Sequence, residues 1–510
     1  MKPRGGLPAI SIASGAPLEH RDLKRRSVHG AAATVLSQGV RFVVQFAAQV
    51  LLARLLAPSE FGIVAMVMPL VGFVQMFTDL GLLQVTVQKP EITQNELSAL
   101  FWVSVAVSTG LALLVVLLSP LAAWFYHEPR ATAVTAAVGS LLILSGLAAQ
   151  PMAVMNRQMR FVPLAIIDIA AAVAAGVGGI AAAADGFGYW SLVIMQAANA
   201  TSMLVLAWAF SGWRPSRPRH VPGLGALLRF GGSVTGANVV NYLSYTMDNV
   251  LIGARWGDVQ LGFYDRGFRL MLLPVVQIVM PFTRVAVPLL SRLQHIPERY
   301  RVAYTRIMRA VLLVTTPAIV FGIVNARPLL LSVLGPRWSP AVPIFAWLGL
   351  SALLAPIKLS LSWLFISQSR AHEQFRCTCI GTVIMIGAFL AGLRWGAAGV
   401  AAATAITSWV LYSPLLCWMA TRSGPVRLRD LCDVIYPVLI AGATAWAVLS
   451  ALRGALPAAW PFGLPCALAI AYLVQVIVFA CLPQGWTALL EVWELRAMFA
   501  RSASRSAADA

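Results

Sequence analysis

Uninterrupted apolar runs of about eighteen or more residues recur along this 510-residue sequence, and each is long enough to cross a bilayer as a helix. No soluble core needs so many. The chain is 59% hydrophobic and 11% charged, with mean hydropathy +0.78, whereas a soluble domain carries about a quarter charged residues. These features predict an all-α polytopic membrane protein with about fourteen transmembrane helices. The expected spans are about 30–54, 62–86, 97–122, 131–155, 162–184, 188–212, 226–252, 260–288, 305–326, 340–367, 375–393, 397–420, 432–452 and 463–482. The longest expected connection, 289–304, is too short for a domain of its own.

Charge orients the spans. With the N-terminus in the cytoplasm, inner segments hold 24 of the 38 Lys and Arg and outer segments hold 7, with the rest inside spans. This is the positive-inside pattern of a membrane protein with both termini cytoplasmic. It accounts for most of the +19 net charge, so no nucleic-acid partner is implied; anionic lipid heads account for some of the remainder. Residues 1–29 lack an apolar core of about 7–15 residues, so they read as a cytoplasmic tail rather than a signal peptide. At the other end, 483–510 is a second cytoplasmic tail. Its Trp486, Leu489, Leu490, Trp493 and Phe499 suit either an amphipathic helix on the membrane surface or an ordinary exposed helix end.

Catalytic patterns are sparse. No Gly-Lys pair occurs, which excludes a Walker A loop, and none of the six histidines has metal-ligand spacing. Cys377 and Cys379 form a lone Cys-x-Cys, read as small helix residues. No cofactor, metal or enzyme activity is expected.

The information lies in the polar residues of the spans. Gln38, Arg41, Gln45 and Gln49 follow spacings of 3, 4 and 4, which puts them on one face of the first helix. Asn238, Asn241, Tyr245 and Asn249 repeat those spacings in the seventh span, at an offset of 200. Phe61-Gly62 and Leu261-Gly262 align at the same offset. The pattern suggests two parallel six-helix halves, 30–212 and 226–420, joined by a basic cytoplasmic linker at 213–225 and followed by two extra helices at 421–482. The polar faces are expected to wall a central wet cavity; the alternative is that they glue helices together at about 1 kcal/mol or less per bond.

Ions inside the spans point the same way. An Arg at the depth of Arg41 costs roughly 3 kcal/mol to insert, so it is expected to face water or a partner. In the eighth span Arg266 and Arg269 share a face with Gly262, Leu273, Gln277 and Met280. Asp265, at i,i+4 from Arg269, is expected to pair with it and leave Arg266 less compensated. Asp168 is expected to pair with Arg157 or Arg160 or to face the cavity. Asp79, Asp248 and Asp265 are candidates for carrying a coupling ion, and Lys358, Gln196 and Asn199 add further polarity within the spans.

Five stretches carry a family resemblance: ARLLAPSEFGIVAM (53–66), MDNVLIGARWGDVQLGFYDRGFRLMLLP (247–274), PLLSRLQ (288–294), GPRWSPAVPIF (335–345) and GAAGVAAATAI (396–406). In order and spacing they resemble polysaccharide flippases of the Wzx type, in the multidrug/oligosaccharidyl-lipid/polysaccharide exporter superfamily. The resemblance covers about residues 27–480. It implies an inner-membrane protein that moves oligosaccharide repeat units on polyprenyl diphosphate from the cytoplasmic to the periplasmic leaflet by alternating access, for exopolysaccharide or O-antigen assembly. A polysaccharide polymerase and a chain-length regulator are the implied partners. Arginine suits a diphosphate because its planar fork binds phosphate oxygens bidentately; Gln and Asn suit sugar hydroxyls. A cation-coupled drug antiporter of the same superfamily, favoured by acidic cavity residues, and a lipid II flippase are the alternatives. A membrane-embedded glycan polymerase would need larger periplasmic loops.

Overall fold

The computed structural model describes residues 20–78, 86, 92–217, 224–454 and 463–481; the side chains of 20–36, 224–241, 243–245 and 454 fall outside this description. Asp79, Asn238, Asn241 and Tyr245 are therefore sequence candidates whose side chains are not described, as are residues 1–19 and 483–510 of the two expected tails.

Sixteen α-helices and no strand occur among the described residues. They are α1 (His20–Leu55), α2 (Pro58–Thr78), α3 (Gln94–Tyr126), α4 (Arg130–Arg157), α5 (Phe161–Ala184), α6 (Trp190–Ser211), α7 (Leu224–Leu293), α8 (Pro297–Val324), α9 (Ala326–Val333), α10 (Ala341–Ala352), α11 (Ala355–Ser367), α12 (Ala371–Gly392), α13 (Gly396–Thr407), α14 (Ser413–Thr421), α15 (Leu428–Ala451) and α16 (Gly463–Cys481). Among the described residues, eleven helical segments are long and apolar enough to cross a membrane. α1, the part of α7 before Gly257 and the division of Ala371–Thr421 at Gly396 are helical where three further spans are expected; residues 79–85 of the expected span 62–86 lie outside the described residues.

The ends of the elements follow local chemistry. Thr93 and Glu96 form a reciprocal capping box that starts α3, with Thr93 N donating to Glu96 Oε2 at 2.8 Å. α7 is two helices merged across Gly257, whose φ of 78° and ψ of −172° suit glycine. Helix resumes there after residue 257 as it does after residue 57, so the 200-residue offset read in the polar stripes recurs in the backbone. The connection expected at 289–304 shrinks to 294–296, because α7 and α8 run on beyond their apolar stretches. The span expected at 340–367 is split into α10 and α11 just before Pro356. A π-turn, Ser408–Tyr412, joins α13 to α14.

Packing divides the chain into two units, one through Thr246 and one from Met247. The division between these units falls within α7. Tyr242 accounts for part of this. Its hydroxyl donates to the Met68 carbonyl at 3.1 Å and lies where a Cβ on Gly72 would be. In this first unit α1 lies on α5, α3 on α4, and α6 on both α4 and α5. Small residues permit the close approach: Gly146 of α4 faces Ser104 and Ser108 of α3. In the second unit α15, α16 and α10 pack around α8, and α12 meets α13. There a Cβ on Gly392 would lie 2.5 Å from the Gly399 carbonyl oxygen.

Candidate functional site

Each unit holds its own cluster of intramembrane ions. In the first, the buried stripe of α1 contains Ser37, Ala48 and Leu52, and Arg41 lies in register with it, half-buried. Gln38 and Gln45, next to that stripe, are exposed, and Gln49 is half-buried. Helix glue would be buried between helices, whereas Gln38 and Gln45 are exposed. Arg41 Nη1 donates to Asp168 Oδ1 of α5 at 3.5 Å, and the two side chains remain 42% and 32% exposed. Among the described residues, only this one nitrogen of Arg41 is engaged.

The partner of Asp168 is therefore Arg41, not Arg157 or Arg160. Those two donate to backbone carbonyls instead, Arg157 to Thr86 at 2.7 Å and Arg160 to Ser211 at 3.3 Å. Ser211 is the last residue of α6, where terminal carbonyls lack intrahelical partners and accept from cations. Gln150 reaches Thr86 Oγ1 at 3.2 Å, and Asn199 points to Met203 of its own helix.

In the second unit Asp265 grips two arginines. Its Oδ2 accepts from Arg266 Nε and Nη2 at 3.1 and 2.9 Å, and its Oδ1 accepts from Arg269 Nε at 2.9 Å. Side-chain exposure is 3% for Asp265, 14% for Arg266 and 57% for Arg269. The expected Asp265–Arg269 pair is present, and Arg266, expected to be less compensated, shares the same carboxylate. Arg266 is the enclosed partner, while Arg269, whose Nε also donates to Oδ2 at 3.0 Å, extends outward from the same carboxylate. Spacing along a helix marks i,i+4 pairs, but an i,i+1 fork depends on side-chain rotamers that spacing does not encode.

Asp248 is also buried, and two neutral groups donate to it. Tyr264 Oη donates to its Oδ2 at 2.8 Å and the Asn249 backbone N–H to its Oδ1 at 2.8 Å. Asn249 itself is half-buried. Sequence reading missed Tyr264, a fully buried residue on the other side of the Gly257 break from Asp248; the Asp-x15-Tyr separation matches no helical period. It also missed the setting of Lys358, whose ammonium lies 5.6 Å from the Tyr412 ring centroid at the end of the π-turn. Among the described residues no group of three His, Cys, Asp or Glu converges to hold a metal.

Many membrane-length helices, with arginines and carboxylates within the helices of both units, define a multi-pass membrane protein. The sequence matches the polysaccharide biosynthesis protein family over residues 51–343, and the chain belongs to that family. It is 21% identical to the lipopolysaccharide biosynthesis protein WzxC of Escherichia coli (strain K12), over 74% of this chain and 77% of that one. It is 28% identical to the succinoglycan biosynthesis transport protein ExoT of Rhizobium meliloti (strain 1021), over 65% and 67%. The teichuronic acid biosynthesis protein TuaB of Bacillus subtilis (strain 168) is 24% identical over 69% and 74%. Among solved structures, the inward closed conformation of the lipid II flippase MurJ superposes with a TM-score of 0.72 at 14% identity, covering 89% of this chain and 98% of that one. An inward-facing multidrug resistance MATE family transporter of the MOP superfamily gives 0.57 at 14% identity, over 75% and 96%. The fold is the one these transporters share.

Proposed function

We propose that this chain is a flippase that moves oligosaccharide repeat units linked to polyprenyl diphosphate from the cytoplasmic to the periplasmic leaflet of the inner membrane, by alternating access. Membership of the polysaccharide biosynthesis family supports the substrate class. The observation that carries the reading is the state of the arginines. Arg41 uses one nitrogen on a long contact to Asp168, and Arg269 is braced by Asp265 with more than half of its side chain exposed. A guanidinium held this way presents a fixed fork to a diphosphate and can release it, since part of its charge is already answered. Arg266, also part of the candidate set, braces the carboxylate. Gln38, Gln45, Gln49, Asn238, Asn241, Tyr245 and Asn249 supply donors and acceptors for sugar hydroxyls. A lipid tail need never leave hydrocarbon, so the protein has only the polar head to shelter.

If a cation drives the step, Asp248 suits it better than Asp265, whose charge two arginines already answer. A polysaccharide polymerase and a chain-length regulator are the expected partners in the membrane. Both termini are assigned to the cytoplasm by the charge bias. On a cysteine-free background, an impermeant thiol reagent added outside should label cysteines placed at Ser59 and Asp258 and spare one at Ser216; the opposite pattern would reverse the topology.

The functional test is the pair Arg41→Ala and Arg269→Ala. Cells carrying both should accumulate diphosphate-linked repeat units in the inner leaflet, beyond any loss of protein abundance measured in the same cells. Normal export by that double variant would end the assignment of these arginines to substrate.

A further inference from the structure

We propose that the second unit carries a binding site for the phosphate of an anionic phospholipid, formed by Arg327 and Arg453 at the rim of an apolar cavity among α8, α10, α15 and α16. This does not depend on the flippase reading. The cavity has a volume of about 410 Å³, within the roughly 300–1,000 Å³ of small-ligand pockets. Ile323, Val342, Ala346, Leu449, Leu464 and Ala467 give it an apolar lining. Its polar groups are few: Arg327, Arg453 and Asn325. An apolar pocket with one polar corner suits a molecule with one charged end and an aliphatic remainder.

The charge balance names the end. Among the described residues neither Arg327 nor Arg453 has a carboxylate partner, and both are exposed. Arg453 donates one nitrogen to the Val324 carbonyl at the end of α8. That bond caps a helix and leaves the rest of the guanidinium available. Arg327 has no such role. Both fall in connections that the charge bias assigns to the side poor in cations, which by that assignment holds only seven Lys and Arg. Arg130, on that same side, is committed to Glu128 at 2.7 Å. Two arginines of the seven therefore meet at one pocket without an internal counter-ion.

Position selects a lipid over a free anion. The pocket sits where α8 and α15 end and α16 begins, which for spanning helices is the depth of headgroups and upper acyl chains. A free phosphate has no use for the apolar wall. A phospholipid puts its phosphate between the guanidinium groups and its glycerol and first methylenes against Leu449, Leu464 and Ala467.

The test titrates the purified full-length protein in detergent with dioleoylphosphatidylglycerol and reads bound lipid by native mass spectrometry. Parallel titrations use dioleoylphosphatidylcholine, inorganic phosphate and undecaprenyl diphosphate. Phosphatidylglycerol should bind best. Arg327→Ala with Arg453→Ala should weaken it about tenfold, the loss expected for charge-assisted contacts to phosphate. Ala346→Trp should block it by filling the cavity while both arginines remain. Should Arg453→Ala lose its cap on Val324 and misfold, Arg327→Ala alone decides, with a severalfold loss expected. Unchanged phosphatidylglycerol binding in the arginine variants overturns the proposal. Equal binding of inorganic phosphate overturns it too, and so does preference for undecaprenyl diphosphate, which would make the pocket part of the substrate path.

Discussion

The two ionic clusters solve the same problem differently. Arg41 meets Asp168 across 127 residues of sequence, at 3.5 Å, with both side chains substantially exposed. Asp265 meets Arg266 and Arg269 within its own helix turn, at 2.9 Å, and is almost wholly enclosed. The first arrangement holds a cation in place loosely; the second locks a carboxylate and leaves one of its two cations reaching outward. An exposed, singly bonded pair contributes little to stability, about 1 kcal/mol or less. Removing the partner of an enclosed one costs roughly 3–5 kcal/mol, because an uncompensated charge stays behind. Function and stability should therefore separate in the first cluster and be entangled in the second.

The largest effect should come from Asp265→Ala. It strands Arg266 and should lower protein abundance and detergent-solubilised thermal stability sharply, by roughly 3–5 kcal/mol. Asp168→Ala should leave abundance near normal. Equal abundance of the two variants would erase the contrast. Next comes Arg41→Lys, which should keep the fold and restore only part of the export lost in Arg41→Ala, because one ammonium cannot reproduce the bidentate fork. Full rescue would mean that charge alone matters at Arg41. Within the second cluster, Arg266→Ala should cost more stability than Arg269→Ala, and Arg269→Ala more transport per folded molecule; thermal unfolding and export assays on the same preparations separate the two. The smallest effect belongs to Glu128→Gln. The Arg130 guanidinium holds this partly exposed carboxylate below its usual titration range, yet loss of the pair should shift stability by about half a kcal/mol or less. Glu128 thus marks the baseline against which the intramembrane pairs are judged.

Much of the fold was legible because hydrocarbon imposes one requirement on every span: backbone groups must be satisfied within a helix. Hydropathy therefore located α3 to α6 and α15 to within a few residues. It failed where helices continue into polar sequence, as α7 and α8 do around 294–296, since a helix needs apolar residues only while it is in lipid. The ions themselves were legible as costly residues in the wrong solvent. Their partners were not. Arg41 and Asp168 come together through the packing of α1 on α5, and Asp248 and Tyr264 across the break at Gly257. Neither separation has a helical period, so only tertiary structure could bring them into contact. Gly72 shows the same limit: nothing around it in sequence announces that Tyr242 occupies the space it leaves.

The Asp265–Arg266–Arg269 cluster also bears on how the chain is made. Its members lie within five residues, so it can close as soon as that turn of helix forms, ahead of any packing between helices. A segment entering the bilayer then carries one net positive charge in place of three separate ions. Arg41 has no such local help. α1 must be delivered with its arginine uncompensated and wait for α5 to bring Asp168. The early helices of the first unit are thus committed to the membrane before their charge is answered, which makes the emergence of α5 from the ribosome the event that completes them.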